Sequence, residues 1–327
     1  MIIETGYGSF DWVQGWGDLP AELAGHDVPG VAVGPSDQLY VLSRSSIPVV
    51  VLDRNGAFLS GWGEGDFVRP HGIHVSPDGS VWCADDEGQR LLHYSATGQL
   101  VGAIEGQNRA DETGYVVGDA HSVHHSADPF CYPTGIESGT EEDIWVTDGY
   151  GNARVHHFNS RGDLIGSFGN PGSGPLEFVI PHGVLRRPNG ELLVSDRVNE
   201  RLQVIDPQRG VMVDSWLGLH FPNNIATIDH EVYYVAELGN FVQGLPHQTT
   251  LVPEAPYARV TVRDSSGALL AEILPPPGSP RDNWFAPHGI AVDAHSDVYV
   301  GEVRGAYGRG LDTTGGPTLH KLVAVAR

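Results

Sequence analysis

The sequence has little lysine and cysteine, and each shortage excludes a class of protein. Lys321 is the only lysine among 19 basic residues, against 41 acidic ones, and the formal net charge is −22. Such a surface repels phosphate groups, so we expect no binding to nucleic acid or to anionic membranes. The two cysteines, Cys83 and Cys131, are too few for a disulfide framework.

Long apolar runs and helical patterns are also missing. No stretch approaches the ~18 apolar residues that a membrane-spanning helix needs, and no basic start precedes an apolar segment of signal-peptide length. We therefore predict a cytoplasmic protein. The segment 20–25 is the only candidate for a helical turn. By contrast, 43 glycines and 23 prolines suit many short strands joined by tight turns.

A recurring start, usually with proline, divides the chain into six similar units. The copies begin near residues 28, 69, 132, 180, 221 and 286. Each start leads into a β-branched run, a polar turn and then further short strands. Four strands in each of six units predict an all-β fold, a six-bladed β-propeller. We expect residues 1–327 to form this one domain.

The two ends of the repeat predict how the ring closes. The last unit stops at its third strand, near 319–326, and the segment 10–17 resembles a fourth strand such as 57–63. We therefore expect the N-terminal strand to complete the last blade and leave no long unpaired edge. Three insertions, 107–131, 238–257 and 303–318, should lie on the face that bears the blade starts, where long insertions form lids or binding loops.

Three copies of Pro-His-Gly-(Ile/Val) place His71, His182 and His288 in alternate blades. The first strand of each propeller blade lines the central axis, so the three imidazoles should converge. Neutral imidazole is the commonest metal ligand, and three of them with an open fourth position hold a catalytic Zn²⁺. Another divalent transition metal would also suit them. Inheritance of a repeat is the main rival explanation, and Thr134 and Asn223 weaken it because they replace histidine in other blades.

Residues just after the second strand of each blade should reach the same pocket mouth. Arg44 and Tyr150 are the candidate catalytic residues, since an arginine can clamp a carboxylate and a tyrosine near a dication can act as a base. The candidate substrate contacts are Arg197, Arg304, Asp86, Asn223, Thr134, His121 and His124. For Arg44, Arg197 and Arg304 the alternative is a salt bridge to an acidic residue of a neighbouring blade, and we favour it for Arg197 and Arg304. His121 and His124 could also form a further metal group, but simple solvent exposure is the favoured alternative for them.

An acidic residue recurs at the end of the second strand in five of the six blades. Recurrence in nearly every blade favours a structural role over a catalytic one. We therefore assign this set to hydrogen bonding between strands: Asp85, Asp148, Asp196, Glu237 and Glu302.

With these motifs the chain resembles the NHL-repeat propellers and, among them, peptidyl-α-hydroxyglycine α-amidating lyase. The resemblance covers nearly the whole chain, most strongly 67–206 and 285–301. It implies a zinc held by the three Pro-His histidines. It also implies a catalytic tyrosine at Tyr150, within the run Asp-Gly-Tyr-Gly-Asn-Ala-Arg at 148–154, and an active-site arginine at Arg44.

Two positions depart from the family pattern. Gly151 replaces a cysteine that follows the family's tyrosine, so that disulfide is missing. Gly289 replaces a calcium-binding aspartate, which makes structural Ca²⁺ doubtful. The sequence carries no hydroxylating partner domain, and a cytoplasmic protein has no obvious amidated-peptide product. We therefore expect another small α-hydroxy compound or carbinolamide as the substrate.

The resulting hypothesis is a zinc-dependent lyase acting on a small carbinolamide or α-hydroxy compound that bears a carboxylate or hydroxyl group. Two alternatives stay open. One is a different metal-assisted reaction, such as lactone hydrolysis or hydration and elimination on a sugar-like compound, with Asp86 or Glu87 as a general base. The other is a non-enzymatic propeller that binds a protein partner.

Overall fold

The computed structural model describes residues 1–13, 15–138, 143–239, 257–274, 285–307 and 316–325. These segments form six antiparallel sheets with four blade strands each. The strands follow chain order in five sheets, whereas the last sheet combines three C-terminal strands with an N-terminal one and gains a fifth strand. The sheets are the blades of a six-bladed β-propeller, which confirms the fold that the repeat predicts.

Blades two, three and four form one compact unit within residues 67–222. The strands of blade two are Pro70–Val75, Val81–Asp85, Arg90–Tyr94 and Leu100–Glu105. Those of blade three are Pro133–Ser138, Asp143–Asp148, Arg154–Asn159 and Leu164–Phe168. Those of blade four are Pro181–Arg186, Leu192–Asp196, Arg201–Asp206 and Val211–Trp216.

Blades one, five and six belong to a second compact unit, formed by residues 1–66 and most residues after 222. Blade one contains Gly30–Val33, Leu39–Leu42, Val49–Leu52 and Phe58–Trp62. Blade five contains Pro222–Thr227, Val232–Glu237, Arg259–Asp264 and Leu269–Ile273. Blade six contains Pro287–Val292, Val298–Glu302, Leu319–Val325 and Ser9–Val13, and Ile2–Glu4 is its additional strand.

The N-terminal strand completes blade six, as predicted. Ser9–Val13 pairs antiparallel with Leu319–Val325, and Trp12 stands opposite Leu322. The Trp12 side chain is buried and meets the ring of His320 edge-on, with ring centroids 5.2 Å apart. The strand is therefore held by backbone hydrogen bonds and by core packing together.

The inner strands are buried on both faces because adjacent blades pack face to face. Every residue of Val81–Asp85 and of Leu192–Asp196 is buried, which explains why these strands read as continuous apolar runs. Between blades two and three, Trp82, Ile136 and Val146 share one core cluster. Each such apolar side chain contributes about 1.5–3 kcal/mol when fully buried.

The recurring acidic residue fastens the entrance of its blade. A carboxylate oxygen of Asp85 accepts the backbone N–H of Arg69 at 2.7 Å, and Asp148 accepts that of Cys131 at 2.9 Å. Asp196 and Glu302 do the same for Val179 and Ala286. Glu237 instead pairs with Arg259. Four of the five carboxylates therefore join the end of the second strand to the segment before the first strand, which supports the hydrogen-bonding role expected for this set.

Short irregular elements lie between the blades. The insertion 107–131 contains the helix Ala110–Thr113 and the 3₁₀ turn Ala120–Ser122, and a second 3₁₀ turn, Ala21–Leu23, falls inside the predicted 20–25 segment. The helix Arg304–Tyr307 and a small parallel sheet of Asn170–Pro171 with Glu177–Phe178 complete the elements. Most of insertions 238–257 and 303–318 lies outside the described residues. Within the described segments, no helix has the length and apolar character to cross a membrane.

Candidate metal centre

His71 and His182 occupy the second position of the first strand in blades two and four, and neither has exposed surface. Nδ1 of His71 lies 2.8 Å from the carbonyl oxygen of Thr134. A carbonyl can only accept, so Nδ1 carries the proton and Nε2 presents its lone pair. This arrangement orients a neutral imidazole in the way that metal-binding histidines require.

Tyr150 places its hydroxyl against both of these imidazoles. The hydroxyl oxygen lies 2.9 Å from Nε2 of His71 and 3.5 Å from Nε2 of His182. Only 5% of Tyr150 is exposed, so the contact is shielded from bulk water. The predicted catalytic tyrosine therefore lies beside two of the three predicted metal ligands.

His288 has the same orientation as His71, with Nδ1 2.6 Å from the carbonyl oxygen of Pro29. One ligand nitrogen from each of His71, His182 and His288 lies within 4.8 Å of the others, and all three residues are buried. Ligands on a tetrahedral zinc at 2.0–2.1 Å stand about 3.3 Å apart. A small inward movement would bring these nitrogens to a shared ion, so the donor set fits zinc or another divalent transition metal.

Arg197 also lies at this centre. Its guanidinium carbon is 5.5 Å from the centroid of the Tyr150 ring, and 4% of the residue is exposed. The geometry is that of a cation over an aromatic face. The contact makes Arg197 a neighbour of Tyr150, while its binding of substrate stays a prediction.

Three other predicted site residues have ionic partners. Arg44 donates from Nη1 to Oδ2 of Asp27 at 2.9 Å. Nη1 of Arg69 lies 3.2 Å from Asp86, which is buried. Arg304 donates to the carbonyl of Pro317 at 2.9 Å, and its Nη1 lies 3.7 Å from Oε2 of Glu302. The ion pair with Glu302 lies within blade six, and the salt bridge to a neighbouring blade that is favoured for Arg304 stays a prediction.

Thr134 and Asn223 tie neighbouring first strands together. The Thr134 hydroxyl donates to the carbonyl of Pro181 at 2.8 Å, and the Asn223 amide donates to the carbonyl of Pro287 at 2.8 Å. Both residues are buried. Their contacts give them a positioning role beside the histidines, whereas contact with substrate stays a prediction.

His121 and His124 are both exposed and line a cleft of about 280 Å³. We call this cleft the side cleft, and its walls include His121, Val123, His124, Phe178, Val179 and Ile180. The loop and small sheet at 170–178 form part of the side cleft. The only sequence signal for this segment is the glycine-rich run at 169–174. Asn152 anchors the insertion here, since its amide donates to Ala127 O at 3.0 Å and its Oδ1 accepts Ala127 N at 3.2 Å.

The residue before the blade-start proline has a left-handed backbone in three blades. The φ angles are 65° at Tyr132, 57° at Ile180 and 53° at Phe221. A β-branched residue such as Ile180 is strained there, and strain of this kind concentrates at functional sites. Ile180 packs with Ala120 and Tyr150 in one buried cluster. The strain is thus located beside the candidate centre.

The two departures from the family pattern also have a structural basis. Both cysteines are free and buried, and a Cβ built on Gly151 would come 2.4 Å from Sγ of Cys131. A Cβ built on Gly289 would come 2.8 Å from the Cα of Gly30. An aspartate at position 289 would therefore need the strands around it to move apart.

Comparison with known proteins identifies relatives of this chain. The NHL repeat matches residues 130–158. Peptidyl-alpha-hydroxyglycine alpha-amidating lyase 2 of Drosophila melanogaster is 26% identical over 78% of this chain and 57% of its own length. The chain thus contains an NHL repeat within a six-bladed propeller and is similar to the amidating lyases.

Two further relatives set the limits of that relationship. Peptidylglycine alpha-amidating monooxygenase of Rattus norvegicus is 26% identical over 78% of this chain. The match covers 24% of the length of that relative. NHL repeat-containing protein 3 of Homo sapiens is 28% identical over 88% of this chain and 80% of its own length. The wider similarity therefore includes a protein whose name gives no activity.

A solved structure supports the fold over almost the whole chain. A streptogramin B lyase superposes with a TM-score of 0.59, covering 97% of both chains at 12% identity. At that identity the likeness concerns the fold and not the reaction.

Proposed function

We propose that this chain is a zinc-dependent lyase acting on a carbinolamide or a related small α-hydroxy compound. The observation that carries the proposal is the Tyr150 hydroxyl, 2.9 Å from Nε2 of His71, in a group of three buried imidazoles. An oxygen base beside a metal-ligand set suits removal of a proton from a substrate hydroxyl. A relative named for peptidyl-α-hydroxyglycine supports this substrate class.

The proposed reaction needs no water. Tyr150, as its phenolate, takes the proton of the carbinol hydroxyl, and the electrons of that O–H bond form the new C=O bond. The C–N bond breaks, and the same proton returns from Tyr150 to the leaving nitrogen. The products are an amide and a glyoxylate-type aldehyde, so atoms and charge balance.

The protein residues divide the remaining work. When bound by His71, His182 and His288, zinc would supply Lewis-acid polarisation of the hydroxyl oxygen. The Thr134 carbonyl fixes the His71 ring through Nδ1. Arg44 would hold the substrate carboxylate beside its ion pair with Asp27.

Metal analysis of protein purified without an affinity tag tests the centre first. We expect about one zinc per chain and loss of turnover of N-acyl-α-hydroxyglycines after chelation, restored by added zinc. Protein without any bound divalent metal would refute the lyase and favour the alternative of a non-enzymatic binding propeller.

Heavy-oxygen water separates the lyase from the hydrolase alternative. Lactone hydrolysis leaves one solvent oxygen in a stable carboxylate, whereas the lyase reaction leaves both the amide and the product carboxylate unlabelled. The aldehyde oxygen exchanges with water by hydration and is not read. Label in a carboxylate produced from a turned-over lactone would favour hydrolysis. No observation at Asp86 supports it, because that carboxylate is buried beside Arg69.

A further inference from the structure

We propose that the side cleft binds the acyl group of the substrate, and that this group is small and uncharged. The inference rests on the proposed lyase function, because the acyl group is the part of a carbinolamide that leaves as the amide. The proposal narrows the substrate class to compounds with a single compact acyl group and disfavours long peptides.

The chemistry of the walls selects an uncharged group. Val123, Phe178 and Ile180 are buried apolar residues, and the exposed His121 and His124 add imidazole faces. No carboxylate, ammonium or guanidinium group is found among the described residues that line the cleft, although the chain carries a net charge of −22. A charged acyl group would lose hydration there without gaining an ionic partner.

The cleft borders the candidate centre, because two of its wall residues pack against Tyr150. Ala120 and Ile180 line the cleft, and the same two residues pack with Tyr150 in one buried cluster. Asn152, which also lines the cleft, follows Tyr150 by two positions in the chain. A group bonded to a carbinol carbon near the Tyr150 hydroxyl would therefore have this cleft as its adjacent space.

The walls are held in place before any ligand binds. The left-handed φ of 57° at Ile180 persists only where the surroundings hold the residue firmly. The paired bonds between Asn152, another wall residue, and Ala127 anchor the end of the 107–131 insertion. A preformed cleft lowers the entropy cost of binding.

The volume limits the size of the group. About 280 Å³ lies at the lower end of the range of small-molecule pockets, which runs from roughly 300 to 1,000 Å³. This space suits an aryl ring or a branched aliphatic chain. A peptide of several residues would have to extend outside it.

Kinetics with two substrates test the inference. We expect kcat/KM for N-benzoyl-α-hydroxyglycine to exceed that for the N-acetyl compound by about tenfold or more, because the cleft removes the ring from water. The variant His124→Glu should reduce this ratio at least about threefold, since a hydrated carboxylate at the wall opposes burial of the ring. The matched control is His125→Glu, an adjacent exposed residue that does not line the cleft, and its ratio should equal that of the wild type.

Binding of benzamide gives a readout that does not need turnover. Saturation-transfer NMR should detect the amide on the wild type and on His125→Glu, and weaker binding on His124→Glu. Equal binding to all three proteins would overturn the cleft assignment even if the lyase is active. Conversely, an inactive but zinc-loaded protein that binds benzamide in this pattern would refute the proposed reaction and leave the cleft as a binding site.

Discussion

Two sets of buried histidines differ only in what their nitrogens contact. In the first strands, Nδ1 of His71 and of His288 faces a backbone carbonyl, and Nε2 is directed to the candidate centre. In the third strands, Nε2 of His156 and of His320 meets a buried carboxylate, Asp148 or Glu302. Burial alone therefore does not mark a metal ligand, whereas the partner of the second nitrogen does.

One blade shows that the third-strand position is structural. Gln203 occupies the place equivalent to His156 in blade four, and its Nε2 donates to Asp196 at 3.0 Å. A side-chain N–H is all that this position requires. His156 also has a serine, Ser167, 2.7 Å from Nδ1, but a Ser-His-Asp arrangement repeated in altered form in other blades is a hydrogen-bond network and not a hydrolytic triad.

The same substitution in both sets should give the largest contrast. We expect His182→Gln to lose zinc and to lower activity at least about a thousandfold, because only two imidazoles remain. His320→Gln should retain about one zinc per chain and lose less than about 1 kcal/mol of stability, since glutamine can still donate to Glu302. Metal content and denaturant unfolding measure both effects. If the His182→Gln variant retains zinc, His182 is not one of the metal ligands.

Tyr150→Phe removes the hydroxyl that contacts His71 and His182, and so tests the first-strand histidines without altering them. We expect kcat to fall about 10²- to 10⁴-fold, the usual contribution of a general base. Zinc content should stay unchanged, because no imidazole is altered. Normal turnover in this variant would show that another group takes the substrate proton.

Arg44 tests whether a predicted site residue can be both paired and functional. Arg44→Gln should raise KM for carboxylate-bearing substrates about 10- to 100-fold and affect the matching carboxamide substrate little. Asp27→Asn should give a smaller rise in KM, because it loosens the guanidinium without removing it. If both substrates weaken equally, Arg44 supports the fold and does not bind the carboxylate.

A further histidine, His74, lies beside Glu137, a carboxyl group whose pKa is raised. Burial raises the pKa of Glu137 to about 8 and lowers that of His74 to about 4, and Nδ1 of His74 lies 3.7 Å from Oε2 of Glu137. The folded state keeps the Glu137 proton that the unfolded chain has lost, so its contribution to stability declines as pH rises from about 4.5 to 8.

Glu137→Gln should flatten this part of the stability curve and add about 1 kcal/mol at pH 8. The effect is smaller than full burial would give, because 19% of the side chain is exposed. Urea unfolding at pH 5, 6.5 and 8 measures it, and parallel curves for variant and wild type would contradict the assignment.

The repeat allowed the sequence to predict the blades and the three histidines, but not most of their partners. Proline starts and polar turns recur at each blade, so the first strand of every blade begins within two residues of a predicted start. The partner of Arg44, Asp27, is set by a loop outside the repeat. The side cleft forms where 107–131 meets 170–180, two segments without a recurring pattern, and the strand Ile2–Glu4 is too short to show alternation.

The pairing of Ser9–Val13 with Leu319–Val325 has a consequence for biosynthesis. The ribosome releases the first of these strands early, but its partner emerges only after some 300 intervening residues have been made. Until then Trp12 has no core to pack into, and the strand Ser9–Val13 stays unpaired in the nascent chain. This blade can reach its native state only after residues 319–325 have left the ribosome.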